Sequence, residues 1–210
     1  IWEEDRAQLR SAPGDYNTYN TGRMGSHDVV LLLLPNMGKS SAASAAASLR
    51  SSFTGIKLAI LTGICGGVPG IGTINEVLQC DYSCLVPRSY LETVTSREQT
   101  QDGTVAPEIR VVVGRVGSGD TVVKAGLDRD RIAKQHDLIA FEMEGAGVWE
   151  EIPCIIVKAV CDYADSHKNK KWQQFAAATA ASTTKALLEH YAHMDSPPAP
   201  YTWYISSRSV

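Results

Sequence analysis

Cys154-Ile155-Ile156-Val157-Lys158-Ala159-Val160-Cys161-Asp162 is a near-continuous apolar run that stops on an acid. A run of this kind, without alternation, reads as a parallel strand buried on both faces. Just upstream, Leu138-Ile139-Ala140-Phe141-Glu142-Met143-Glu144-Gly145-Ala146-Gly147 is a second apolar run that breaks into the small residues of a helix start. Open α/β sheets place ligands outside the carboxyl ends of their strands, so Glu144 and Asp162 both belong at that edge. Taken singly, each acid has a plain structural reading. An Asp after a strand commonly caps a helix, and a Glu near a helix start complements its dipole. Two acids ending two different strands suit a site that must hold a sugar and protonate a base at once.

Outward from these runs, strands are expected at residues 29–34, 58–62, 109–118, 138–143 and 155–160, and helices at 40–53, 128–135, 146–150 and 172–193. The alternation predicts an α/β fold, a single-domain three-layer α/β/α arrangement around a central mixed sheet. Ser196-Pro197-Pro198-Ala199-Pro200 cannot continue a helix. Residues 1–194 are therefore read as one domain and 195–210 as a C-terminal tail or linker to a further domain.

With 210 residues, 44% of them hydrophobic, the chain is long enough to bury a sizeable core. A net charge of −3, no basic stripe and 7% aromatics leave no electrostatic footprint for nucleic acid. The longest aliphatic stretch, Val29-Val30-Leu31-Leu32-Leu33-Leu34, is far short of the roughly 20 residues of a membrane helix. No signal-peptide pattern is read ahead of it, and no membrane association is expected. The five cysteines are an odd number, and Cys65, Cys154 and Cys161 fall in expected core segments. A reduced, cytoplasmic chain fits that usage. Cys80 and Cys84 open a zinc-like spacing that no second Cys/His pair completes, so neither metal nor other cofactor is expected. Gly38-Lys39-Ser40 imitates the end of a phosphate-binding loop, but Leu33 stands where the first glycine belongs, and the motif fails its spacing. Residues 42–49 after it are Ala-rich and helical in propensity.

Four motifs in order carry a resemblance. Thr62-Gly63-Ile64-Cys65-Gly66-Gly67, Gly117-Ser118-Gly119-Asp120, Phe141-Glu142-Met143-Glu144-Gly145-Ala146 and Asp162-Tyr163-Ala164-Asp165 resemble the purine nucleoside phosphorylase and uridine phosphorylase superfamily. Cys161 to Trp172, with Ser166-His167-Lys168-Asn169-Lys170-Lys171 inside it, looks like the fungal branch, whose members often precede nucleotide-binding and repeat domains in long receptor-like chains. The match runs from about residue 15 to 191. It implies activity on a purine nucleoside or nucleotide, and assembly as a homo-oligomer.

Cleaving a purine N-glycosidic bond passes through an oxocarbenium-like sugar while the departing base gathers negative charge. Such a site needs an acid at the base and an anion near the sugar. A positioned acid contributes about 10²–10⁴ in rate, roughly 3–5 kcal/mol of barrier. Asp162 is the candidate acid, acting at or through purine N7. By the resemblance, Met143-Glu144 match a pair that clamps the ribose, Glu144 accepting from its hydroxyls and Met143 packing a polarizable thioether on the ring, although Met is also ordinary core filler. The same resemblance lines the substrate pocket with Glu142, Phe141, Cys65, Gly66, Gly67 and Cys161.

The nucleophile is decided at the glycine loop. Phosphorylases of the superfamily carry an Arg two residues before its first Gly and a Ser just after it, where this chain has Leu61 and Ile64. Neither offers the guanidinium fork or hydroxyl that phosphate rewards, so water is favoured over phosphate as co-substrate. Lys158 stands where hydrolytic relatives such as methylthioadenosine nucleosidase have an Arg near the attacking water. It either orients water or neutralises Glu144 as a structural ion pair.

The chain also departs from the family. It starts downstream of the first strand, whose acid activates water, and the central strand expected after residues 72–81 is missing or replaced before Cys84-Leu85-Val86-Pro87-Arg88. At the base, Trp172 lies where relatives stack an aromatic on the nucleoside, or anchors the helix start; Val122 replaces a stacking Phe. Lys168, Lys170 and Lys171 read as solvated surface or, more sharply, as partners for nucleotide phosphates. The expected function is hydrolysis of a purine N-glycosidic bond with adenosine-type substrates, ATP among them. Phosphorolysis is the alternative enzyme reading, and a degenerate nucleoside-sensing module of a larger receptor is the alternative of another class.

Overall fold

The computed structural model describes residues 2–4, 11–69, 83–84, 110–168 and 170–191. The strand expected to be missing or replaced after residues 72–81, Cys80, the segment after Cys84 and the tail at 195–210 lie outside them.

A small antiparallel sheet comes first, with strands β1 (Trp2–Glu4), β2 (Tyr19–Met24) and β3 (His27–Leu32) in that order. The β2–β3 turn closes on Gly25 at φ 63°, a left-handed conformation that favours glycine in a two-residue hairpin loop. Sequence reading missed β2, because Asn20 and Gly22 are disfavoured in strands and the element exists by pairing with β3.

The main sheet contains β4 (Ala59–Gly67), β5 (Ser83–Cys84), β6 (Arg110–Val111), β7 (Arg115–Ser118), β8 (Leu138–Glu142) and β9 (Cys154–Asp162), ordered β6-β5-β9-β4-β8-β7. It is mixed: β4 and β9 run parallel from Ala59 opposite Cys154, β7 and β8 run parallel, and β8 meets β4 antiparallel at Gly66 and Gly67. Helices α1 (Lys39–Ser52), α2 (Gly126–His136), α3 (Gly145–Glu151) and α4 (Gln173–Tyr191) flank it.

Alternation along β9 makes the layers. Cys154 and Ile156 pack with Ala42 and Ala46 of α1 and Val148 of α3, whereas Ala159 and Cys161 pack with Ala176 and Ala180 of α4. Side chains an odd number apart on a strand face opposite ways, so the two cores lie on opposite sides of the sheet. This is the three-layer α/β architecture that the alternating pattern predicts. Small residues let the outer layer close up: a Cβ at Gly147 of α3 would lie 2.1 Å from the Lys39 carbonyl oxygen at the start of α1.

Three local expectations change. The strand expected at 58–62 continues through the glycine segment to Gly67, with a register shift between Cys65 and Gly66, because β9 pairs with it as far as Gly66 and β8 pairs with Gly66 and Gly67. The single strand expected at 109–118 is two short ones, and Trp172 ends a 3₁₀ turn (Lys170–Trp172) ahead of α4. Among the described residues, no helix is long and apolar enough to cross a membrane.

Candidate active site

The chain leaves β8 at Glu142 and enters α3 at Gly145, and the orphan amides of that helix start need acceptors. Glu142 supplies them. Its fully buried carboxylate accepts the N–H of Glu144 at 3.0 Å and of Gly145 at 2.9 Å, with Lys158 Nζ at 3.2 Å. Burial pushes the Glu142 carboxyl upward, but the Lys158 ammonium, the Ser118 hydroxyl and the two backbone amides outweigh it and hold the group below its ordinary range. Gly145 is required by this approach, since a Cβ there would sit 2.6 Å from Glu142 Oε1. Ser118 Oγ accepts the next amide, Ala146 N–H, at 2.8 Å.

Glu144, whose side chain is 15% exposed, lines a large cavity. Lys158 Nζ lies 3.0 Å from its Oε2, and the Gly38 N–H lies 3.4 Å from its Oε1. Lys158, only 3% exposed, thus serves both glutamates from β9. Gly38 adopts φ 101°, and a Cβ there would meet Asp120 Oδ1 at 2.9 Å. Asp120 Oδ1 in turn accepts the Lys39 N–H at 2.6 Å, capping α1 from a distant loop. The turn that fails as a phosphate loop therefore belongs to this site, with carboxylates on its amides.

Asp162 ends β9 four residues after Lys158, just past the register shift against β4. Its Oδ1 accepts the Ala164 N–H at 2.8 Å and lies 3.1 Å from Lys168 Nζ. Ala164, at φ 51°, is buried against Gly66, where a Cβ would meet Ala164 Cβ at 2.8 Å and Asp162 Oδ1 at 3.0 Å. The Cys161 thiol donates to the Cys65 carbonyl, and burial followed by the Asp162 carboxylate pushes it up to about 11.

The cavity between these acids measures about 1430 Å³. Phe141, Glu142, Met143, Glu144, Lys158, Cys65, Gly66, Cys161, Asp162 and Val122 line it, together with Lys168 and Lys170. Trp172 and Gly67 are not part of its wall; Gly67 lies under the Val160 side chain, and Trp172 is partly exposed on its 3₁₀ turn. Among the described residues no group of His, Cys, Asp and Glu is arranged to hold a metal ion.

No family model matches the chain. It is 26% identical over 263 residues to a nucleotide-binding leucine-rich repeat (NLR)-like protein of Hyaloscypha variabilis, covering 86% of this chain and 26% of that protein. It is 30% identical over 97 residues to the ATP nucleosidase Cap17 of Escherichia coli, covering 43% of this chain and 19% of the relative. The chain thus spans about a quarter or less of the length of these two relatives. Against the 5'-methylthioadenosine/S-adenosylhomocysteine nucleosidase of Staphylococcus epidermidis it is 25% identical over 217 residues, covering 89% of this chain and 95% of that enzyme. Among solved structures, the corresponding Helicobacter pylori nucleosidase superposes with a TM-score of 0.63 at 15% identity, over 87% of this chain and 88% of that one. With its mixed sheet, its helical layers and this likeness along most of its length, the chain has the nucleoside phosphorylase-like α/β fold of these nucleosidases and is similar to them in sequence.

Proposed function

We propose that the protein hydrolyses the N-glycosidic bond of an adenosine-type purine nucleoside or nucleotide. The observation that carries this reading is the convergence of Glu144, backed by buried Lys158, and Asp162 on one cavity. In this reaction water attacks the anomeric carbon, the bond to the base breaks with its electron pair going to the purine, and Asp162 delivers a proton at N7. Oδ1 of Asp162 is engaged by Ala164 and Lys168, while Oδ2 accepts the Cys161 thiol at 3.6 Å. Glu144 accepts from the ribose hydroxyls, and its charge favours the cationic sugar. Lys158 holds Glu144 towards the cavity; Glu142 acts behind the site by fixing the start of α3. Met143, Phe141, Val122, Cys65, Gly66 and Cys161 form the walls of the substrate pocket.

Water is preferred to phosphate because Leu61 and Ile64 pack in the core clusters on either face of β4 and offer no donors. Lys168 and Lys170 on the cavity wall favour a substrate bearing phosphates, in keeping with the ATP nucleosidase among the relatives. The proposal takes residues 1–194 as the catalytic unit, 195–210 as a linker, and a homo-oligomer as the working form, which light scattering on the purified protein tests. For the reaction, the protein is incubated with adenosine, ATP and methylthioadenosine, with and without phosphate, and released adenine is separated by chromatography. Adenine release without phosphate is expected. Release only with phosphate would replace hydrolysis by phosphorolysis, and no release from any substrate would overturn the enzyme reading.

A further inference from the structure

Arg129 sits on α2, outside every motif discussed above, yet its side chain is only 9% exposed. A guanidinium taken that far from water needs its donors used. Nη1 donates to the Tyr163 carbonyl at 2.7 Å and lies 3.8 Å from Asp165 Oδ2, while Nε donates to Asp130 at 2.8 Å. Gly126, one turn earlier, lies beside the guanidinium, and a Cβ added there would make only an ordinary 3.5 Å contact with Nη2.

The residues held are those that follow Asp162. Tyr163 is its neighbour, Ala164 in its left-handed conformation returns an N–H to Asp162 Oδ1, and Asp165 Oδ1 accepts the His167 N–H at 2.8 Å. That second contact closes the turn that brings Lys168 back to 3.1 Å from Asp162. A left-handed alanine is unfavourable on its own and persists only where its surroundings over-determine it. Arg129 gripping both sides of Ala164 is such a constraint.

We propose that Arg129 is a positioning residue: by clamping Tyr163 and Asp165 it holds the 162–168 turn in the one arrangement that aims the Asp162 carboxylate into the cavity. It acts through Asp162 and does not touch substrate. This inference rests on the hydrolase reading for its effect on turnover, but the clamp itself has a separate readout.

The test compares wild type, Arg129→Met, Arg129→Lys, Asp162→Asn and the double variant Arg129→Met/Asp162→Asn. Amide hydrogen exchange at Ala164 is expected to speed up at least about tenfold in Arg129→Met, with Val157 in mid-β9 unchanged. A misplacement on the order of 1 Å costs about a hundredfold, so kcat for adenine release should fall about ten- to a hundredfold, with a much smaller change in KM. Arg129→Lys keeps the charge but not the fork and should recover only part of kcat. In the Asp162→Asn background Arg129→Met should cost almost nothing more, since the residue it aims is gone. An unchanged Ala164 exchange rate overturns the clamp. Full rescue by Lys, or losses that multiply in the double variant, overturns the positioning role. If wild type releases no adenine, the hydrolase reading fails by itself, and the exchange rates still decide whether Arg129 orders the turn.

Discussion

Lys158 Nζ lies 3.0 Å from Glu144 Oε2 and is 3% exposed, so the one residue that interrupts the apolar run of β9 is committed to carboxylates rather than to solvent. Removing one partner of a buried ion pair leaves an uncompensated charge, at a cost of about 3–5 kcal/mol. Lys158→Met should therefore destabilise the fold by about that amount, because Glu142 and Glu144 then face each other without a cation. Lys158→Met/Glu142→Gln should recover part of the loss, since one buried charge is removed with it. Urea denaturation of the three proteins checks both statements, and a Lys158→Met variant as stable as wild type would refute them.

Glu142 makes stability depend on acidity. Its folded-state carboxyl lies below the ordinary value of 4.5, the balance of burial, which raises it, against Lys158, Ser118 and two amides, which lower it. A carboxyl of this kind stabilises the fold only when ionised, so its contribution is complete above about pH 4.5 and is lost as pH falls through the lowered folded value. The urea midpoint should drop on acidification below that point, and drop less steeply in Glu142→Gln. Parallel acid limbs in the two proteins would contradict this origin.

Gly147→Ala tests the closeness of α1 and α3. The new methyl would occupy space 2.1 Å from the Lys39 carbonyl and 3.1 Å from the Ala43 nitrogen, both backbone, so the helices must separate. Overpacking of this sort costs about 1–3 kcal/mol. At roughly 2–4 °C per kcal/mol for a domain of this size, calorimetry should record a clear fall in Tm. The Gly38–Glu144 contact sits at the same end of α1, so activity should fall too.

Asp162→Asn keeps the shape of the side chain and its acceptor for the Ala164 amide while removing the transferable proton. Adenine release should fall about 10²–10⁴-fold. Affinity for an unreactive purine nucleoside, read by calorimetric titration, should change far less. Equal losses of turnover and binding would make Asp162 a binding residue only.

Two buried thiols should be unreactive. Burial, followed by Glu142, pushes Cys154 up to about 11, and burial, followed by Asp162, does the same for Cys161. At pH 8 almost none of either is thiolate, the reactive form. Mass-spectrometric mapping after brief iodoacetamide treatment of the native protein should find both unmodified, and modified once the protein is unfolded in urea. Rapid native labelling of Cys161 would show the Asp162 turn to be open.

The strand and helix alternation, the layered α/β class and the two acids at strand ends were legible in the chain, because apolar runs and small-residue helix starts are local signals. The same locality explains what could not be read. β2 exists by pairing with β3, and the glycine segment at residues 62–67 is strand because β9 and β8 lie along it. Nothing near Lys158 in sequence says that it answers both Glu142 and Glu144, and nothing near Gly38 says that its amide meets Glu144. Arg129 carries no motif at all, and its burial against Tyr163 and Asp165 depends on how α2 lies beside the end of β9. The sequence by itself determined which groups are available and which strand ends carry them. Only the tertiary structure decided which charge meets which, because a buried charge needs its partners at hydrogen-bond distance, and folding brings those partners from residues as far apart in the chain as 38 and 144.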